Sequence, residues 1–269
     1  MEHEAILDAF MGDAIITDVL GLLKSGKEAV VYRCKAHPAT GVDEAAIKIY
    51  KDIETRSFKN AKEYLDGRIG RTIKKRRDIL HVLSNPRSMQ YVWVGAEWEA
   101  IRLLHEAGVP VPKPLGLSSG HPALAMELVG GEAVDGCGRG AAPRLRDYRP
   151  GLEEASDLRG QLLSALELML AHDVVHGDFS AYNVLVQDSR AVVIDFPQWA
   201  DARHSGRAKD LFTRDVKNIL SYFEGKAAGD EPDPEAVAAE LWGRWEDGDL
   251  YRMRDAARLA REWGLAELA

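Results

Sequence analysis

Three side chains suited to metal binding and proton transfer follow one another in the second half of the chain. Asp178 and Asn183 lie within HGDFSAYN at 176–183, and Asp195 comes twelve residues after Asn183, behind an apolar run. The order H-x-D-x-x-x-x-N, followed by an Asp at a strand end, is typical of a phosphoryl-transfer catalytic loop. Because Mg²⁺ prefers oxygen ligands, Asn183 and Asp195 are the predicted metal ligands. Asp178 is predicted to orient or deprotonate an attacking hydroxyl.

A lysine in an apolar strand completes this predicted catalytic group. Lys48 follows Ala46 and Ile47 in a pattern similar to the strand lysine that pairs with the α- and β-phosphates of a nucleotide. An isolated buried charge is costly, so Lys48 needs an acidic partner. Glu97 and Glu99 of a predicted helix at 93–107 are the candidates. Glu97 is preferred because the apolar positions of that helix lie at helical spacing from it.

The segment 21–28 contains the letters GLLKSGKE, which fit G-x-x-x-x-G-K. A phosphate-binding loop of that type needs Ser or Thr at the position of Glu28 and must open a helix. Here the next residues, AVVY, predict a strand. The segment is therefore interpreted as a hairpin flap over the phosphates, with Ser25, Gly26 and Lys27 at its tip.

The predicted elements place strands first and helices last. A helix at 4–20 precedes strands at 29–32, 45–50 and 124–129, and a long helix at 152–172 precedes short strands at 184–186 and 191–194. The remainder is predicted to be mostly helical. This order indicates an α+β, two-lobed arrangement. The motif at 176–183 resembles the catalytic loop of protein kinases, and this resemblance implies a protein-kinase-like fold. The predicted N-lobe covers 1–129, with an insertion at 51–92, and the hinge and helical C-lobe cover 130–269.

Composition narrows the class of protein. The 269 residues carry a net charge of −8, which argues against a general nucleic-acid binder. Residues 51–78 are an exception, because they hold ten basic against five acidic side chains. This basic segment predicts one local anionic partner, RNA or a ribosomal particle, or alternatively a solvated helix face. Two cysteines, no long apolar run and no secretory signal predict a cytoplasmic protein without a membrane span.

Several motifs in order resemble the RIO-type atypical serine/threonine kinases. They are SGKEAVVY at 25–32, AIKIYK at 46–51, EAGVPVP at 106–112, MELVG at 126–130, APRLRD at 142–147, HGDF at 176–179 and IDFPQ at 194–198. The resemblance covers roughly 15–222. It leaves the subfamily open.

This resemblance implies ATP and Mg²⁺ as cofactors, with Mn²⁺ as an alternative metal. It implies that Met126 is the gatekeeper and that Glu127 and Val129 offer backbone groups to adenine. Ser25, Gly26, Lys27, Lys48 and Glu97 are the other expected ATP-site residues. The long activation segment and the peptide-binding subdomain of ordinary protein kinases are both expected to be missing. A link to ribosome maturation is a further expectation.

Two positions depart from ordinary protein kinases. Gly177 stands where His-Arg-Asp has Arg, which argues against gating by a phosphorylated activation loop. Pro197 stands where Asp-Phe-Gly has Gly, and because proline fixes φ it should hinder a flip of Asp195.

Two other functions remain open at this point. Small-molecule phosphotransferases of the aminoglycoside or choline kinase type also use a His-Gly-Asp-x-x-x-x-Asn loop, usually with a larger helical substrate domain. A binding or assembly factor switched by ATP hydrolysis is the second alternative. The phosphate acceptor itself is not identified by the sequence.

Overall fold

The structure is a computed structural model that describes residues 2–51, 86–131 and 140–262. The chain divides into two compact units. The first comprises Met1–His105, Val111–Ala142 and Ile194–Pro197, and the second comprises Glu106–Pro110, Pro143–Val193 and Gln198–Ala269. The sequence-based division at 129/130 therefore differs from the contact-based division, which lies at 142/143 and returns 194–197 to the first unit.

The first unit is built on a five-stranded antiparallel sheet. Its strands are β1 (Ile16–Ser25), β2 (Ala29–Ala36), β3 (Glu44–Tyr50), β4 (Pro114–Leu117) and β5 (Ala123–Glu127). Their spatial order is β1-β2-β3-β5-β4. Two short strands, β6 (Gly130–Gly131) and β7 (Gly140–Ala141), pair with each other. The β3 register opposite β5 puts Lys48 across from Leu124, in the centre of the sheet.

Two helices pack on this sheet. α1 (Glu2–Gly12) contributes Ile6, Leu7 and Phe10 to a core that includes Ile47 and Ile49 of β3. α2 (Pro86–Ala107) contributes Val94 to a second cluster with Tyr50 and Leu124. Because side chains alternate along a strand, Lys48 shares the α2 side of β3 with Tyr50.

Two element predictions in this unit are wrong, and one strand has no counterpart among the predictions. The predicted helix at 4–20 ends at Gly12, because Ala14 adopts a positive φ of 55° and the next residues enter β1. The helix predicted at 93–107 begins at Pro86, so 86–92 belong to α2 rather than to the insertion. Strand β4 was not predicted, since its four residues carry little periodic pattern.

The second unit is mainly helical. Its helices are α3 (Leu152–Ala171), α4 (Ala208–Phe223), α5 (Pro234–Glu246) and α6 (Asp249–Glu262). Two strand pairs accompany them: β9 (Val184–Gln187) with β10 (Arg190–Val193), and β8 (Val174–Val175) with β11 (Ala200–Asp201). Buried leucines of α3 and the apolar face of α4 form the core. The long helix and both later strands match their predictions.

The basic segment at 51–78 lies outside the described residues except for Lys51, so its predicted contacts remain sequence-based. Within the described part of the chain, no helix has the length and apolar character needed to cross a membrane.

Candidate functional site

The first unit holds a charged cluster made by three distant parts of the chain. The ammonium Nζ of Lys48 on β3 lies 2.8 Å from Oε1 and 3.2 Å from Oε2 of Glu97 on α2. The same ammonium lies 2.6 Å from Oδ1 of Asp195. We call these three residues the Lys48 cluster. The predicted Lys48–Glu97 pair is present, whereas the alternative partner Glu99 is exposed.

Burial and charge act in opposite directions in this cluster. Burial disfavours the Lys48 ammonium, but Glu97 and Asp195 outweigh it and raise the lysine pKa above its usual range. Burial also raises the pKa of the fully buried Glu97 carboxyl, while Lys48 lowers it. With two carboxylates in hydrogen-bonding contact, the lysine is the charged centre of the cluster.

Asp195 occupies an unusual backbone position. Its φ is +74°, in a left-handed region that residues other than glycine adopt uncommonly, although Asn and Asp enter it more often than the rest. Such a position costs about 1–3 kcal/mol and persists where surrounding contacts enforce it, often at functional sites. Its side chain is 40% exposed, so a carboxylate oxygen is accessible to a ligand.

The predicted flap is a β1–β2 hairpin with Ser25, Gly26 and Lys27 at its turn. The Gly26 N–H donates to Ala29 O at 2.9 Å, which closes the turn. Lys51 then braces it, because its ammonium donates to Gly26 O at 2.7 Å and Ser25 Oγ at 3.3 Å. Lys27 and Ser25 are exposed at the tip.

The predicted hinge residues lie at and after the end of β5. Met126 is half-buried and pairs with Ala46 of β3. The Glu127 N–H donates to Lys113 O at 2.8 Å, and Val129 O accepts from Ala142 N at 2.9 Å. The adenine prediction therefore depends on the other two backbone groups, the Glu127 carbonyl and the Val129 N–H.

The second unit contains the predicted catalytic loop. The Asn183 Nδ2 group donates to Asp178 O and to Asp178 Oδ2, each at 3.0 Å, so these two side chains form one constellation. Asn183 is buried. Gly177 has φ +80°, and a Cβ there would approach Gln198 O at 2.8 Å. This close backbone approach explains why glycine replaces the larger residue of ordinary kinases.

Sequence reasoning missed the residue that holds this loop in place. Asp215 of α4 accepts hydrogen bonds from the Gly177 N–H at 2.7 Å and the Phe179 N–H at 2.9 Å, on either side of Asp178. The neighbouring Arg214 donates to Gly177 O. A signal was available: Asp215 lies on the apolar face of α4, with Leu211 and Ile219 one turn away on either side.

Asp215 is fully buried, and its protonation is strongly perturbed. Burial raises the pKa of its carboxyl from 3.8 to about 7, although the two backbone N–H groups and the Arg214 charge lower it. The ionised carboxylate accepts both loop hydrogen bonds, and the protonated carboxyl keeps part of this acceptor capacity while its hydroxyl becomes a donor.

Asp195 of the first unit and Asn183 of the second unit each carry an oxygen donor of the kind that magnesium prefers. Asp195 supplies a carboxylate and Asn183 an amide oxygen, and Mg²⁺ usually takes one or two such ligands with phosphates and water. Among the described residues, no cluster of three His, Cys, Asp or Glu side chains could form a complete protein cage.

The sequence profile of the RIO domain matches residues 30–236 of this chain. A serine/threonine-protein kinase RIO1 from Chaetomium thermophilum is 31% identical over 220 residues, which cover 78% of this chain and 40% of that protein. The RIO-type serine/threonine-protein kinase Rio1 of Haloferax volcanii is 30% identical, and the alignment covers 85% of this chain and 71% of that protein. The chain thus spans less than half of the eukaryotic relative's length.

A solved structure is also similar in fold. The Rio2 kinase–ADP/Mg²⁺–phosphoaspartate complex from Chaetomium thermophilum aligns with a TM-score of 0.57 at 18% identity, over 98% of this chain and 75% of that one. At this identity the likeness concerns the fold. The predicted α+β, protein-kinase-like fold is therefore confirmed, while the roles of individual site residues remain predictions.

Proposed function

Because the chain belongs to the RIO domain family, we propose that it is a Mg-ATP-dependent phosphotransferase that acts on serine or threonine hydroxyls. The observation that carries the proposal is the Lys48 cluster, in which one strand lysine contacts Glu97 and Asp195 at 2.6–3.2 Å. The kinase names of the relatives and the ADP/Mg²⁺ content of the fold neighbour support it.

In this proposal the first unit binds the nucleotide. Lys48, oriented by Glu97, pairs with the α- and β-phosphates, and the flap tip at Ser25, Gly26 and Lys27 covers them. The Glu127 carbonyl and the Val129 N–H recognise the adenine edge beside Met126. Cytoplasmic ATP supplies the nucleotide.

The second unit supplies the acceptor chemistry. The acceptor oxygen bonds to the γ-phosphorus as the bond from that phosphorus to the bridging oxygen of ADP breaks. Asp178 takes the hydroxyl proton, and Asn183 and Asp215 hold the loop that carries it. The Gly177 and Phe179 amides keep the loop in register with α4.

Asn183 and Asp195 are the proposed metal ligands. They are grouped because the spacing between them in the sequence matches that of metal ligands in phosphoryl-transfer motifs. Mg²⁺ held there, with Mn²⁺ as an alternative, would neutralise negative charge on the phosphates of the nucleotide.

The test is to follow the label from γ-labelled ATP with Mg²⁺. The chain is incubated with serine/threonine peptides, with aminoglycosides and choline, and with neither. Label on peptide or on the chain itself supports the proposal, and Asp178→Asn should remove it while Mg-ATP still raises the melting temperature. Asp188→Asn, at an exposed carboxylate of the same unit, is the matched control.

The other destinations of the label identify the alternatives. Label only on a small molecule would indicate a small-molecule phosphotransferase. Label only in released phosphate would indicate an ATPase switch. Absence of both turnover and Mg-ATP stabilisation would contradict the proposal.

A partner beyond ATP is also proposed, for the basic segment at 51–78. Its ten basic side chains would contact RNA or a ribosomal particle, with salt-dependent affinity. Alanine at Lys74, Lys75, Arg76 and Arg77 should weaken that binding and flatten its salt dependence while Mg-ATP binding survives. Undetectable RNA binding at low salt in the wild type would refute it.

A further inference from the structure

A band of cationic and aromatic side chains lies on the second unit. The Arg146 guanidinium lies over the Tyr182 ring at 4.3 Å, and the Lys226 ammonium lies over the Tyr222 ring at 3.8 Å. Arg146 is 53% exposed and Tyr182 is 47% exposed. We call Arg146, Arg149, Lys226, Tyr182 and Tyr222 the cationic band. It is not used by the chemistry described above.

Backbone hydrogen bonds attach the band to the catalytic loop. The Arg146 N–H donates to Ala181 O at 3.0 Å, and the Leu145 N–H donates to Val184 O at 2.8 Å. Tyr182 directly precedes Asn183, whose amide contacts Asp178. The band therefore begins beside the residue proposed to receive the acceptor's proton.

Further contacts make the band one rigid surface. The Tyr222 hydroxyl donates to Leu145 O at 2.5 Å. The Arg149 guanidinium donates to Arg146 O at 2.9 Å and to Tyr148 O at 3.0 Å. These bonds tie the Arg149 side chain to the backbone at Arg146 and Tyr148, so less side-chain entropy is lost when a ligand binds.

The local charge is opposite to that of the whole protein. Residues 144–149 contain three arginines and one acid, Asp147, in a chain of net charge −8. The Asp147 carboxylate lies 4.0 Å from Arg146 Nε, at the outer limit of an ion pair, and both side chains are more than half exposed. An exposed pair of this kind is weak, so Asp147 does not neutralise the band.

We propose that the cationic band binds an acidic peptide segment next to the serine or threonine that receives the phosphoryl group. The inference rests on the proposed function and specifies its acceptor class. Arginine guanidinium groups fit carboxylates in a bidentate geometry, and the tyrosine rings offer flat apolar area beside them. In the transfer, the hydroxyl oxygen bonds to the γ-phosphorus of ATP, ADP leaves, and the proton passes to Asp178.

The geometry favours a peptide over single-stranded nucleic acid. Sequence-tolerant binding of single strands uses successive aromatic rings whose faces are open to bases. In the band, each of the two rings already carries a cation over one face. Carboxylates reaching the cations need no such open stack.

The experiment compares three peptides of equal length with a single serine, flanked by Asp and Glu, by Asn and Gln, or by Lys. Binding to the full chain is measured by fluorescence anisotropy, and transfer is measured from γ-labelled ATP. The wild type should prefer the acidic peptide over the neutral one by about 10-fold at low salt, and added salt should remove the preference. Arg146→Glu should reverse it in favour of the lysine peptide.

Two further variants complete the test. Arg190→Glu makes the same charge reversal at an exposed arginine on β10 of the same unit and should keep the wild-type preference. Arg146→Gln removes the charge without adding one and should abolish the preference while the melting-temperature rise with Mg-ATP is retained. Arg146→Gln also replaces Arg146→Glu in the test if the charge-reversed variant does not fold.

The outcomes separate this inference from the proposed function. Equal affinity of the wild type for acidic and neutral peptides, or an unchanged preference in both Arg146 variants, overturns the inference. The inference is also overturned if the wild type shows no peptide preference but binds a single-stranded oligonucleotide, and if that binding weakens in Tyr182→Leu. An acidic preference in anisotropy without transfer to any acceptor supports the surface and contradicts the proposed function.

Discussion

The Lys48 cluster of the first unit and the Asp215-held loop of the second unit solve the same problem by different means. Each must keep a carboxylate in place inside the fold. The first uses side-chain charges, with Lys48 between Glu97 and Asp195. The second uses neutral backbone donors, the N–H groups of Gly177 and Phe179, around the buried carboxylate of Asp215.

This difference decides how each site responds to change. A cluster of opposite charges depends on the presence of every partner, since losing one leaves another charge buried and unpaired. A carboxylate held by backbone donors depends on its own ionisation, because its partners are present whatever the side chains are. The first site should therefore be sensitive to substitution of its partners and the second to pH.

The largest effect is expected for Lys48→Met. It leaves the fully buried Glu97 facing Asp195 without the ammonium between them. Removing one partner of a buried ion pair costs about 3–5 kcal/mol, so the free energy of unfolding should fall by that amount. Denaturant unfolding measures it, and the melting-temperature rise with Mg-ATP should disappear in the same variant.

Two further variants test whether the ion pairs cause this loss of stability. Lys35→Met removes an exposed lysine from the neighbouring strand β2 and should leave stability nearly unchanged. Glu97→Gln added to Lys48→Met should recover part of the loss, because one buried charge is then gone. If Lys48→Met were no more destabilising than Lys35→Met, the ion-pair interpretation of the cluster would be wrong.

Asp215→Ala is the corresponding change in the second unit. It leaves two buried N–H groups without their acceptor, and such a loss costs about 1–3 kcal/mol. Turnover should fall because the loop carrying Asp178 is no longer fixed, whereas stabilisation by Mg-ATP should remain. Asp210→Ala, at an exposed position on the same helix, is the control for α4. A loss of nucleotide binding with normal turnover of bound ATP would contradict this assignment.

The pH dependence of stability tests the same carboxylate without removing the loop contacts. Its folded pKa of about 7 lies above the ordinary value of 3.8, so the folded state binds this proton more tightly than the unfolded state. The stabilisation is complete below the ordinary value and is lost as pH rises through the folded one. The slope reaches about 1.4 kcal/mol per pH unit between them.

The measurement is urea unfolding of wild type and Asp215→Asn at several pH values. Subtracting the two curves removes the contribution of other groups. The wild type should lose stability relative to the variant as pH rises across this range. A flat difference, or one that rises with pH, would show that Asp215 is not held near neutrality.

The two sites also differ in how far sequence could predict them. Lys48 and Glu97 lie on a strand and a helix with strong patterns, and an apolar strand lysine demands an acidic partner. Asp178, Asn183 and Asp195 were chosen by motif spacing. The role of Asp215 is not among the predictions, because no local motif links α4 to a loop more than thirty residues earlier. Only its place on an apolar helix face indicates that role.

The fold errors have a similar physical origin. The class follows from the order of strands and helices, but the helix predicted at 4–20 includes 16–20, which are the first five residues of β1. The break at Gly12 and the positive φ of Ala14 separate the two elements. A helix start such as Pro86 is equally hard to place, since its neighbours 52–85 offer charged residues at helical spacing without a clear cap.

The smallest expected effect concerns a third carboxylate, Asp173, which lies just before the strand leading into the catalytic loop. Unlike Asp215 it is held by side-chain donors: Trp245 Nε1 at 3.1 Å, the Tyr251 hydroxyl at 2.5 Å and an Arg203 nitrogen at 2.5 Å. Because three donors bind the Asp173 carboxylate, the loss of one donor leaves it hydrogen-bonded to the other two. Tyr251→Phe removes the bond to Asp173 and a longer, exposed bond at 3.3 Å that the hydroxyl accepts from Arg203 Nε. It should cost only about 0.5–1.5 kcal/mol of unfolding free energy, the net value of a typical hydrogen bond, because the longer bond is weak. Tyr91→Phe, which removes a more exposed hydroxyl bond to Gly120 O, should cost less still.

Thermal or urea unfolding of both variants measures these two losses of stability. The stabilisation by Mg-ATP should be unchanged in each variant. If Tyr251→Phe destabilised the protein as much as Asp215→Ala does, the donors around Asp173 would not be redundant, and the contrast between side-chain and backbone support would fail.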